Sequence, residues 1–127
     1  MNINEIKSDI QMKNFYFLEC SVMRNEVIEP GTLSVDLQKK VSKISDGGYS
    51  VVLTLNVNKE KGDLNVKVVA AATFYCQNTD ESFVDSIMET NTVAIMFPYI
   101  RSQVSLLTTQ PGMTPIVLPP INTAKLN

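Results

Sequence analysis

Two runs of strict alternation constrain this chain more than any other feature. In residues 49–58, Tyr49, Val51, Leu53, Leu55 and Val57 are apolar, and the positions between them are mostly Ser, Thr and Asn. In residues 64–76, Leu64, Val66, Val68, Ala70, Ala72, Phe74 and Cys76 keep the same period. A period of two puts successive side chains on opposite faces of a strand. The polar second face of the first run argues for an antiparallel sheet that is wet on one side. Lys61-Gly62-Asp63 between the runs reads as a hairpin, and Asp46-Gly47-Gly48 as the hairpin before them.

Two further strands precede these. Residues 32–44 place Leu33, Val35, Leu37 and Val41 on one face, with Lys39 the exception. Residues 14–25 put Phe15 and Phe17 on one face and Tyr16, Leu18, Cys20 and Val22 on the other, which predicts cover on both sides. Glu29-Pro30-Gly31 is a turn signal between these two strands. Small groups on both faces at Val69, Ala70, Ala71 and Ala72 fit either a helix lying over them or a subunit contact.

After the strands the pattern changes to three and four. Asn78-Thr79-Asp80-Glu81-Ser82 offers helix-capping chemistry, and Phe83, Val84, Ile87 and Met88 fit a short helix. Asn91 or Thr92 caps a second helix, in which Val93, Phe97, Ile100, Val104 and Leu107 form one apolar stripe. Pro98 lacks a backbone donor, so the helix proper is expected over 97–109 with the proline in its first turn. Gln110-Pro111-Gly112 stops it, and the remainder reads as an extended tail packed on the body. The whole is an α+β domain: a four-stranded antiparallel sheet with helices packed on one face. At 127 residues it is one domain, read as an N-terminal segment, 1–13, and a single domain, 14–127.

Charge is unevenly placed. Residues 1–63 hold 17 of the 24 charged side chains, and from residue 90 onward only Arg101 and Lys125 are charged. A small domain normally coats itself with mixed charge. So bare a stretch implies cover by the chain's own core, a sister subunit or a client.

The same bare stretch resembles a known family. Ile95-Met96-Phe97-Pro98-Tyr99-Ile100-Arg101, followed by Leu118-Pro119-Pro120-Ile121-Asn122, looks like the closing part of the SecB family of protein-export chaperones. Leu33-Ser34-Val35-Asp36-Leu37, then Tyr49-Ser50-Val51-Val52-Leu53, then the long strand ending near Cys76 fall in the family's order, so the resemblance runs from about Asn14 to Asn122. It implies a SecB-like fold, paired into a homotetramer as a dimer of dimers. It also implies a holdase that binds unfolded clients, such as preproteins for export, in apolar grooves. Carried over by position, the client-binding candidates are Leu33, Val35 and Leu37, then Phe97 and Tyr99, then Met113, Ile116 and Leu118. Family members carry an acidic sheet face that contacts the translocase motor. Here the net charge is −2 and Thr123-Ala124 stand where Phe-Asp are usual, so the motor is the least supported partner. The departures leave room for a dedicated chaperone of one partner, such as an antitoxin, or for an interaction module without holdase activity.

Other chemistries find little footing. The chain has no histidine, the commonest general base and metal ligand, and no CxxC pair, so no catalytic residue, metal or cofactor is assigned. Asp80, Glu81 and Asp85 sit at a predicted helix start, where acids offset the helix dipole. Lys39, Lys40 and Lys43 read as a solvated strand end, and a pI near 5.0 gives no electrostatic case for nucleic acid. Cys20 and Cys76 read as reduced thiols. The first ten residues carry acids and no apolar core, unlike a secretory signal, and no apolar stretch is long enough to span a bilayer. A cytoplasmic protein is expected.

Overall fold

The computed structural model describes residues 10–77 and 80–120. The strands are β1 (Ile10–Arg24), β2 (Leu33–Lys43), β3 (Tyr49–Lys59) and β4 (Leu64–Cys76), followed by one helix, α1 (Glu81–Leu107). All pairings are antiparallel, and the sheet order is β1-β4-β3-β2. This is the expected fold class, a four-stranded antiparallel sheet with its helical layer on one face. The expected Gly hairpins close β2–β3 and β3–β4, with Gly47 and Gly62 in the left-handed region at φ 87° and 73°.

Because β1 and β2 lie at opposite edges, residues 25–32 form no hairpin. They cross the end of the sheet over β4 and β3. Asn25 N donates to Asp63 O at 2.9 Å, Glu29 N to Asp63 Oδ2 at 2.6 Å, and Glu60 N to Thr32 O at 3.0 Å, which pins the crossing to the β3–β4 hairpin.

β1 departs from its predicted alternation. It starts at Ile10, and register shifts fall between Lys13 and Tyr16 and between Phe17 and Glu19, with Asn14 at φ 57°. Each extra residue turns the side chains over. Cys20 and Val22 thus pair with Val68 and Val66 and share the helix-side face with Phe17. The expected cover on both sides is not met among the described residues, where Tyr16 and Leu18 stand 53% and 57% exposed.

The predicted pair of helices is a single one of 27 residues. Asp80 caps it, accepting from Phe83 N. Asn91 and Thr92 do not cap. Thr92 is fully buried, and its hydroxyl donates back to Met88 O at 2.6 Å, so the helix absorbs it. Pro98 and Ala94 both face solvent, where the carbonyl that loses its partner can bind water. Val84, Met88, Val93, Met96, Phe97, Ile100 and Val104 are buried against Leu53, Leu55, Val66, Val68 and Phe74. The helix starts over the β2–β3 hairpin and runs toward β1, where Tyr99 meets Phe15 and Gln103 meets Cys20.

Gly112, at φ 78°, then reverses the chain. Residues 113–118 return alongside α1: Ile116 N donates to Thr108 Oγ1 at 2.9 Å, Ser105 Oγ to Ile116 O at 2.8 Å, and Arg101 Nε to Leu118 O at 3.0 Å. Ile116 and Leu118 complete the core. The expected N-terminal segment through residue 9, capping positions 78 and 79, and the tail from residue 121 lie outside the described residues.

Candidate functional site: the open edge of the sheet

Two physical facts meet at β2. Its pairing with β3 has no bulge from Leu33↔Lys59 to Lys43↔Tyr49. Glu60 N bonds Thr32 O at one end of this ladder, and Ile44 N bonds Gly48 O at the other. In an antiparallel ladder, hydrogen-bonded pairs alternate with pairs whose N–H and C=O point away. The even-numbered residues of β2 therefore bond β3. The odd ones, Leu33, Val35, Leu37, Lys39, Val41 and Lys43, turn their backbone groups to the free edge. Of these, Val35, Leu37, Lys39 and Val41 pair with Val57, Leu55, Leu53 and Val51, all 0% exposed, so the side chains of the odd residues lie on the helix side.

The helix does not cover all of that face. Leu33 is 36% and Val35 44% exposed, and Leu37 is half-buried. Beside Leu33 opens a groove of about 440 Å³. Leu33, Lys59 and Leu64 form its floor, Ile28 to Pro30 one wall, and Gly112 to Val117 the other.

The far end of β2 is closed by polar contacts to α1. Lys39, expected to be solvated, has a side chain only 11% exposed, donates to Glu89 O and pairs with its carboxylate at 3.4 Å. Lys43 pairs with Glu81 at 2.7 Å and Asp85 at 3.5 Å, and Tyr49 OH donates to Asp85 at 2.7 Å. The Tyr49 hydroxyl holds the Asp85 carboxyl below its usual range, with Lys43 adding to the effect. The same bond pushes Tyr49 up, and the Glu81 bond pushes Lys43 up. A matching bond at the β2–β3 turn, Tyr75 OH to Asp46 at 2.6 Å, lowers Asp46 and raises Tyr75.

Among the sequence-derived candidates, Leu33, Met113 and Ile116 line the groove, and Val35 and Leu37 continue its floor along β2. Phe97 and Leu118, both 4% exposed, are core residues and do not line it. Tyr99, 51% exposed, lies at the other edge of the sheet, its ring 5.0 Å from that of Phe15. The crossing residues Ile28 and Pro30, with Lys59, Leu64 and Val117, were not legible as lining. An apolar pair, Val27-Ile28, inside a polar turn was their signal. A second exposed apolar set, Tyr16, Leu18 and Met23, belongs to β1. Cys20 and Cys76 are free thiols. Among the described residues, no group of three or more His, Cys, Asp or Glu is placed to hold a metal, and no helix is long and apolar enough to cross a membrane.

Comparison with known proteins agrees with the fold. A family model described as "Preprotein translocase subunit SecB" matches residues 5–127. The protein-export protein SecB of Methylobacillus flagellatus is 30% identical over 97 residues, covering 74% of this chain and 62% of that protein. The protein of the same description from Dechloromonas aromatica is 34% identical over 97 residues, covering 74% and 64%. The chain thus spans less than two thirds of the length of these curated relatives. A solved SecB-like chaperone of Mycobacterium tuberculosis, in complex with a peptide from an antitoxin, superposes with a TM-score of 0.72 at 15% identity, covering 91% of this chain and 90% of that one. A Streptococcus agalactiae protein of unknown function reaches 0.55 at 9% identity, covering 87% and 97%.

Proposed function

The chain belongs to the SecB family, and on that premise we propose that it is a holdase that keeps unfolded polypeptides, such as preproteins for export, from folding or aggregating. The observation that carries the reading is the coincidence at β2. Leu33, Val35 and Leu37, whose backbone groups face the free edge, also turn their apolar side chains to the helix-side face, where Leu33 lines the groove and the other two extend from it along β2. An extended client laid along β2 pairs its backbone there and turns every second side chain toward Leu33, Val35 and Leu37. Met113 on the opposite wall supplies an adaptable contact for side chains of differing shape. Broad apolar contact plus backbone bonding is what a binder of many sequences needs.

The test is suppression of aggregation of a chemically unfolded protein, read by light scattering. Val35→Ser is expected to weaken the suppression while leaving the thermal midpoint nearly unchanged, because Val35 is almost half exposed. Tyr99→Ser tests whether the client path extends to the β1 side. Unchanged protection in both variants would place the groove elsewhere.

A second reading, a chaperone dedicated to one partner such as an antitoxin, draws support from the antitoxin-peptide complex of the Mycobacterium tuberculosis neighbour. Co-purification separates the two: many unfolded precursors point to general use, one dominant partner to a dedicated role. Assembly into a homotetramer, with Tyr16, Leu18 and Met23 as candidate contacts, a cytoplasmic location and the absence of catalysis complete the proposal.

A further inference from the structure

Resting on that reading of the groove, we infer that Arg24 sets its aperture and so selects which client side chains enter. Both walls are loops, so something must fix the distance between them. The crossing wall follows β1 directly, and the returning wall begins at Gly112. Arg24, the last residue of β1, lies between the two. Its Nε donates to Asn25 O, its Nη2 to Glu26 O and its Nη1 to Gly112 O, each at 3.0 Å. One planar guanidinium thus ties two carbonyls of the segment that leads into the crossing wall to the first carbonyl of the returning wall, a geometry that the single ammonium of lysine does not reproduce. The returning wall is bound to α1 at Ile116 and Leu118, but near Gly112 the side-chain tie to the sheet among the described residues is Arg24.

Asp63 does the matching work under the crossing wall. It is 5% exposed, and Glu29 N donates to its Oδ2 at 2.6 Å. Its Oδ1 is buried with no hydrogen-bond partner among the described residues. A buried, half-satisfied carboxylate lowers stability, so its value lies in the loop it places. With that wall pinned by Asp63, Arg24 fixes where the other stands. Gly112 holds the returning wall's start through its backbone: φ 78° favours glycine there, and a Cβ would make only ordinary contact, 3.7 Å from Arg24 Nη1.

The experiment compares wild type, Arg24→Lys and Arg24→Ala with two fluorescein-labelled ten-residue Ser/Thr peptides, one with alternating Leu and one with alternating Trp, by fluorescence anisotropy. Wild type is expected to favour the Leu probe. In Arg24→Ala the ratio of the two Kd values is expected to fall about fivefold to tenfold, the net worth of one hydrogen bond at an exposed site, with Arg24→Lys in between. A merely structural role shifts both affinities together and leaves the ratio alone, which overturns the inference. If wild type binds neither probe, the holdase reading itself fails, and this inference with it.

Discussion

β2 and β3 are neighbours of 11 residues each, paired residue for residue with the same alternation, yet they end in opposite environments. Val51, Leu53, Leu55 and Val57 of β3 are 0% exposed, whereas Leu33 and Val35 of β2, on the same face one strand over, are 36% and 44% exposed. Alternation decides which side chains share a face. It does not decide whether anything lies on that face. Cover is decided by the path of α1, which leaves the β2–β3 hairpin for β1, and by residues 113–118, which stop at the groove. β3 is therefore structural and β2 is the surface at which function is expected.

The largest effect that could break this contrast is a cavity in β3. Leu55→Ala is expected to cost about 2–5 kcal/mol by urea denaturation. Its partner across the ladder, Leu37→Ala, sits in a half-buried site and should cost less than half as much. Equal losses would mean that β2 is covered after all. Next comes the turn joining the strands. A Cβ on Gly48 would lie 2.6 Å from the Tyr75 ring, whose hydroxyl is held by Asp46. Gly48→Ala should therefore displace that ring and cost about 1–3 kcal/mol. A Gly48→Ala, Tyr75→Ala double variant should recover part of the loss in the same denaturation assay.

How far the sequence carried follows from the same physics. Val66 and Val68 were legible as core because strand period and burial coincide in the centre of the sheet. Cys20 and Val22 were not placed on the correct face, since two bulges and a left-handed Asn14 leave no mark in a hydrophobic pattern. Pro98 suggested a helix start because its missing donor is a local fact. That the freed carbonyl faces water, so that the helix continues through it, is a tertiary one. Of the client-binding candidates, Leu33, Val35, Leu37, Met113 and Ile116 gather on one side of the molecule, while Tyr99 lies over Phe15 at the other edge. Segment resemblance orders residues along the chain, and the diagonal of α1 separates them in space.

A smaller stability effect sharpens the contrast from the functional side. Val35→Ser should change folding stability by less than about 0.5 kcal/mol, whereas a serine at its buried partner Val57 should cost several times more. If Val35→Ser also weakens binding of an extended apolar peptide by calorimetry, exposure and function coincide on β2. A loss of stability matching that at Val57 would remove the distinction between the strands.

The smallest effect concerns the one end at which β2 and β3 meet α1 together. Tyr49 OH donates to Asp85, and Lys43, paired across from Tyr49, reaches Asp85 and Glu81. Asp85 is held below its ordinary range in the folded chain, the tyrosine bond being the main cause. A carboxyl lowered by folding adds stability above its unfolded pKa and loses it as pH falls through its folded value. Tyr49→Phe removes that contribution. The stability gap between wild type and Tyr49→Phe should therefore be widest near neutral pH and close below roughly pH 4. Lys43 has the opposite sign: raised by its Glu81 bond, it contributes below the ordinary lysine value and is lost only as the solution becomes strongly alkaline. Urea titrations of both proteins at pH 7, 5 and 3 measure the gap. A gap that stays constant with pH would mean that packing of the buried Tyr49 ring, and not its hydroxyl bond, joins this end of the two strands to the helix.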